Sequence, residues 1–341
     1  MRAIIHIGAG GPEVLQLGEA PTPSPGPEQV RVRVQAAGLN RADILQRRGR
    51  YPAPPGWPAD IPGLEYAGAV ELLGPGVTRW RVGDRVMGLV GGGAHAEYVV
   101  VHQDETMAIP AALDFAHAAA IPEAFLTAWD ALVLRGKLQR GERVLLHAVG
   151  SGVGTAAVQL TRWLGATSIG TSRSADKLTR AHALGLDESI CTGDPLGRPH
   201  PGPGESTRTG DPLGRPYPTV DVIIDVLGGP AFAANLEALA PRGRLVMLGH
   251  LQGSRAEVGL EPILRKRLEV IGSVMRTRAL AERIPLVRTF VEQVMPAFSA
   301  GTDGPPPLRP IVSVTFPMTG IAAAHAAMEQ DTNFGKIVLT W

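Results

Sequence analysis

Apolar and polar residues alternate at period two along QVRVRVQAAGL (29–39), and shorter stretches YAGAVELLG (66–74), GDRVMGLV (83–90) and AHAEYVVV (94–101) follow with Gly and Pro between them. Period-two alternation predicts half-buried strands, and short strands with little helix predict a small barrel or sandwich. The pattern changes near Ala116, where FAHAAAIPEAFLTAWDALV (115–133) is helical in composition and broken by Pro122. Beyond it, near-continuous apolar strands alternate with amphipathic helices: RVLLHAV (143–149), VGTAAVQLTRWLG (153–165), TSIGTS (167–172), SADKLTRAHALG (174–185), ESIC (188–191), VDVIIDVLG (220–228), AFAANLEALA (231–240), GRLVMLGH (243–250) and LEVIGSVM (268–275). Such strands predict a parallel sheet covered by helices on both faces. From about Arg276 come a long helix, a Pro-rich loop, the strand IVSVTF, the helix GIAAAHAAMEQ and the strand GKIVLTW. The order predicts a β domain at both ends of the chain, with an α/β domain inserted.

One segment breaks the pattern. TGDPLGRP occurs at 192–199 and again at 209–216, where a covering helix belongs between ESIC and VDVIID. Pro and Gly at this density do not sustain a helix. The segment 192–219 reads as a duplicated surface loop, with a ligand-binding loop as the alternative.

The 341 residues suffice for two domains, and the 44% apolar fraction for two cores. The formal charge of +1 gives no electrostatic footprint for nucleic acid or an anionic membrane. Cys191 is the one cysteine, which fits a reducing compartment and excludes a multi-cysteine zinc site. No apolar run is long enough to span a bilayer, so a cytoplasmic protein is expected.

The candidate chemistry begins in LLHAVGSGVGTAAVQL, a strand, a glycine turn and a helix. Gly150, Gly152 and Gly154, with Ser151 and Val153 between them, allow a tight turn and close approach of backbone amides to a pyrophosphate. About twenty residues on, an NAD site wants an acid at the strand end; the chain has GTSRSADK. Ser172, Arg173 and Lys177 suit a 2′-phosphate, and Asp176 reads as a first-turn acid of the next helix, so NADPH is the expected cofactor.

NRADILQRRGRYP, GLEYAG, GVTRWRVGDRV, AAIPEAFLTAW and HAVGSGVGTAAVQLTRWLGA, in this order, resemble the zinc-free quinone oxidoreductase branch of the medium-chain dehydrogenase/reductase superfamily, to which zeta-crystallin also belongs. The resemblance runs to NFGKIVL and departs grossly only in the repeat. It implies a GroES-like β-barrel catalytic domain at 1–121 and 277–341 and a Rossmann NADP-binding domain at 122–276. Zinc-bearing members place a Cys where this chain has Asn40 and a His where it has Leu64; Leu64 offers no metal ligand, which implies a site without metal. Asn40, Asp43 and Tyr51 are then expected beside the nicotinamide. Asn40 would hydrogen-bond the cofactor or a substrate carbonyl, Asp43 would fix the loop, and Tyr51 would serve as donor or pocket wall. Thr127, Leu227, Gly249, Asn333 and Lys336 join the cofactor site by the same resemblance. Glu65 is expected to be structural, His95 a loop residue near the cleft mouth, and His147 a core residue. The implied activity is NADPH-dependent reduction of quinones. Reduction of conjugated enones or enals, and a crystallin-like nucleotide-binding role without catalysis, are the alternatives. A homodimer through LEVIGSVM is expected, with a small molecule as the other partner.

Overall fold

The computed structural model describes residues 1–192, 217–299 and 306–341, so most of the duplicated loop lies outside the described residues. The chain divides into two units, Met1–Leu126 with Met275–Trp341, and Thr127–Val274.

In the first unit, β1 (Arg2–His6) pairs antiparallel with β2 (Leu15–Glu19). The alternating segment forms β3 (Gln29–Leu39), whose valines at 30, 32 and 34 are buried and whose arginines between them are not. Asn40 stops the strand and opens α1 (Arg41–Arg47). The strands β4 (Glu65–Leu73), β5 (Arg85–Leu89), β6 (Tyr98–His102) and β7 (Thr106–Ala108) follow, then α2 (Phe115–Ala118). Pro122 breaks the next helical run by starting α3 (Pro122–Trp129), at the position where its missing N–H costs nothing. A π-helical stretch, Asp130–Arg135, continues it.

The second unit holds β8 (Arg143–Leu146), α4 (Gly152–Leu164), β9 (Thr167–Ser172), α5 (Ala175–His182), β10 (Glu188–Cys191), β11 (Val220–Asp225), α6 (Ala231–Ala238), β12 (Leu239–Met247), α7 (Glu261–Lys266) and β13 (Glu269–Gly272). All six strands run parallel in the order β10-β9-β8-β11-β12-β13. This is the Rossmann order 3-2-1-4-5-6, with a switch point between β8 and β11. Leu145, Ile169, Ile223, Leu236 and Leu245 form its core, each side chain contributing about 1.5–3 kcal/mol on burial.

The chain then returns to the first unit through α8 (Leu280–Gln293), β14 (Val312–Pro317), α9 (Ile321–Glu329) and β15 (Lys336–Thr340). The order β14-β15-β3-β4-β5-β7, with β6 also on β3, closes the mixed sheet of the GroES-like domain. The pairing of Ile337 with Leu39 brings Lys336 beside Asn40, from opposite ends of the sequence.

Candidate active site

In the first unit the site grows from the start of α1. The Asn40 amide N–H donates to Asp43 Oδ2 (2.8 Å), and Asp43 Oδ1 accepts from Gly63 N (3.1 Å). Asp43 is fully buried, and its two carboxylate oxygens tie the helix start to the turn before β4. Gly63 is required there: its φ is +102°, and an added Cβ would stand 2.5 Å from His95 N.

Lys336 Nζ donates to Leu39 O (2.9 Å) and Asn40 Oδ1 (2.6 Å) and lies 2.5 Å from Glu65 Oε1. Glu65 also accepts from Asn40 Nδ2 (2.9 Å) and from Glu123 N (2.8 Å), and has no solvent exposure. Two expectations change. An ammonium has three donors, and those of Lys336 are all spent inside the protein, so it has none to give a cofactor. Both Nδ2 hydrogens of Asn40 are taken by Glu65 and Gly38 O (3.3 Å). Asn40 therefore does not donate to a substrate carbonyl; it retains only acceptor capacity at Oδ1. Glu65 is buried and has partners at both oxygens.

His95 lies in an irregular segment but is fully buried, and neither ring nitrogen has a hydrogen-bond partner. The reason is the pairing of its segment with the turn before β4: His95 N donates to Pro62 O and Ala94 N to Gly63 O. Burial lowers its pKa against the pull of Asp43, the Gly38 carbonyl and Glu65. His325, also fully buried, has an unpartnered Nε2. Burial first, then His95 and Arg47, lower its pKa to about 2.

Tyr51 is placed by Arg276, a residue with no signal in the sequence. The buried guanidinium donates to Tyr51 O (2.9 Å), Gly91 O (2.7 Å) and Gln46 Oε1 (2.6 Å), and lies 5.0 Å from the centre of the Tyr51 ring. Burial, and then the Glu123 carboxylate, raise the Tyr51 pKa, while Arg276 opposes them. The phenol is protonated at neutral pH, and its hydroxyl has no hydrogen-bond partner among the described residues. Leu64, Leu89, Val90 and Met275 line a recess with Glu123 and Arg276. Asn333 Nδ2 is engaged with Gly335 O (2.7 Å).

In the second unit, Ser151 caps α4, its Oγ accepting from Gly154 N (3.0 Å). That amide is lost to a ligand, while those of Gly152 and Val153 have no partner among the described residues. A Cβ at Gly154 would stand 2.5 Å from Ala148 O, and one at Gly150 would stand 2.6 Å from Lys177 Cδ. The Lys177 stem thus lies over the turn. Ser172 Oγ accepts from Ser174 N (3.1 Å), and Arg173 is exposed beside it. At the same carboxyl end, Leu227 N donates to Asp225 Oδ1 (2.6 Å), and Gly249 lies against Val226. Thr127 is buried. A bare cradle of small residues, two open amides and a cationic stem fit a dinucleotide phosphate.

Among the described residues, no three His, Cys, Asp or Glu side chains stand together to hold a metal ion, and no helix is long and apolar enough to cross a membrane.

Two family models match: the alcohol dehydrogenase GroES-like domain over 26–111, and the zinc-binding dehydrogenase over 152–292. The quinone oxidoreductase of Pseudomonas aeruginosa is 32% identical over 335 residues, 97% of this chain and 96% of its own length. The chain belongs to the medium-chain dehydrogenase/reductase superfamily, in its quinone oxidoreductase-like branch. This medium-chain oxidoreductase is also 35% identical over 321 residues to the polyketide synthase GfsB of Streptomyces halstedii, covering 94% of this chain but only 5% of that protein. A crystal structure of an NAD-dependent alcohol dehydrogenase superposes with TM-score 0.80 at 31% identity, covering all of both chains. The CurK enoyl reductase structure gives 0.81 at 26% identity, over 99% of this chain and 98% of its own. The cofactor of the family is a nicotinamide dinucleotide.

Proposed function

We propose that this medium-chain oxidoreductase is a metal-independent, NADPH-dependent quinone oxidoreductase. The observation that carries the reading is the Lys336–Glu65 pair: an ammonium takes up Asn40 and Glu65, beside an apolar Leu64, where zinc-bearing relatives are expected to keep metal ligands. Without a Lewis acid, the acceptor must delocalise the arriving charge itself, which quinones and conjugated carbonyls do. Bound NADPH supplies the hydride. Tyr51 donates from its free hydroxyl to the acceptor oxygen, and Arg276 holds Tyr51 in place. The apolar side chains of the recess exclude water around the acceptor. The Lys177 stem over Gly150, and the absence of an acid at the end of β9, support NADPH over NADH. The likeness to CurK favours a second reading, reduction of a conjugated carbon–carbon double bond. The proposal includes a homodimer and, on the strength of its single cysteine, a cytoplasmic setting.

The test is optical: NADPH oxidation with a panel of quinones and enals, before and after exhaustive chelation. Quinone turnover that survives chelation is expected. Turnover of enals alone selects the second reading, and activity that vanishes with stoichiometric zinc overturns both.

A further inference from the structure

Four buried polar side chains cross the carboxyl end of the parallel sheet, and the chemistry above does not use them. Thr171, His147, Asn235 and Asp225 are 2%, 3%, 0% and 0% exposed. Their hydrogen bonds have one direction. Asp225 accepts from Leu227 N (2.6 Å) and Gly228 N (3.1 Å), so Asn235 presents its Nδ2 to the other carboxylate oxygen (3.2 Å). The Asn235 Oδ1 left over accepts from His147 at 2.8 Å, which places the ring proton on Nε2. His147 Nδ1 is then an acceptor, and Thr171 Oγ1 donates to it (3.0 Å) while accepting from Ala148 N (3.4 Å). The Tyr217 ring packs against the imidazole in a T-shaped arrangement, with ring centres 5.4 Å apart.

The ends of this chain of bonds matter. One is Ala148 in the glycine turn, a non-glycine residue at φ +54°, a left-handed conformation that L-residues rarely adopt. The other is the Leu227–Gly228 turn, with Gly228 at φ +61°. Thr171 lies on β9, His147 follows β8 and Asp225 ends β11, so the chain spans the switch point between β8 and β11. A dinucleotide in this fold lies across that crevice, one half on each side.

We propose that Thr171, His147, Asn235 and Asp225 are positioning residues that hold the two turns in mutual register, so that one half of the dinucleotide binds to a crevice already shaped for the other. The inference rests on the nicotinamide cofactor site and not on the choice of NADPH.

The experiment measures dissociation constants by titration calorimetry for NADPH against its adenosine half, 2′,5′-ADP, and for NADH against AMP. His147→Leu breaks the chain. His147→Gln keeps an acceptor toward Thr171 and a donor toward Asn235. Thr171→Val removes one hydroxyl without changing shape and serves if the Leu variant does not fold. Leu and Val should weaken the better-bound dinucleotide about tenfold while changing its adenosine half less than about threefold, and Gln should restore both. Parallel weakening of dinucleotide and fragment, or no weakening, overturns the proposal and leaves the network a core feature. A wild type that binds no dinucleotide overturns the cofactor site itself, and the inference with it.

Discussion

Lys336 Nζ lies 2.5 Å from Glu65 Oε1, and the carboxylate has no access to solvent. A buried charge without its partner is strongly destabilising, by about 3–5 kcal/mol. Lys336→Met should therefore lower stability by that amount in urea unfolding, because Glu65 keeps only neutral donors from Asn40 and Glu123. Adding Glu65→Gln should recover part of the loss. A single variant within about 1 kcal/mol of wild type would mean that the pair contributes little.

Gly63→Ala should be among the most damaging small substitutions in the chain. The φ of +102° disfavours any Cβ, and the new atom would strike His95 N at 2.5 Å, a backbone atom that cannot step aside. A loss of about 3 kcal/mol or more in the unfolding free energy is expected.

The buried imidazoles give the first unit an acid limit. His95 and His325 have lowered folded-state pKa values, so below about pH 6.5 the unfolded chain binds more protons than the native one. Stability is complete above that pH and falls as pH drops toward the folded values, about 2 for His325. His325 faces His95 and Arg47, and His95 faces Asp43, Glu65 and Lys336. Melting temperature against pH should show this slope, and His325→Leu should remove about one proton's worth of it.

Arg173→Ala with Lys177→Ala should raise the KM for NADPH about tenfold or more and leave that for NADH nearly unchanged, as lost charge-assisted bonds to a 2′-phosphate require. Equal effects on both cofactors would remove these side chains from phosphate recognition.

The strand β13 ends the sheet with Val270 exposed, and Val274 just beyond it is exposed too, an association hazard unless another edge covers the strand. A homodimer should appear in light scattering, and Ile271→Pro should yield monomers at micromolar concentration. A monomeric wild type at that concentration would refute the dimer.

Much of this was legible in the sequence, for local reasons. Valines at 30, 32 and 34 between polar neighbours announce β3, and the glycine turn between LLHAV and AAVQL announces α4 and its cradle. What escaped depends on distant pairing. Nothing near Lys336 tells that β15 lies against β3 and delivers it to Glu65. His95 follows three glycines and an alanine and reads as a loop residue near the cleft mouth; its full burial against the left-handed turn at Gly63 is not visible in that segment. Arg276 has neither motif nor periodicity, and only its three carbonyl-type acceptors from separate segments reveal its place.

The three spent donors of Lys336 also bear on how such a site changes hands in evolution or in design. Asn40→Cys with Leu64→His would supply two side chains able to bind a metal but leave the Lys336 ammonium bonded to Glu65 beside residue 40. A cation at that distance repels an incoming divalent ion, and removing Lys336 first strands the carboxylate. Replacing residues 40 and 64 alone should therefore give weaker zinc binding than replacing 40, 64, 65 and 336 together, which calorimetry with zinc would measure.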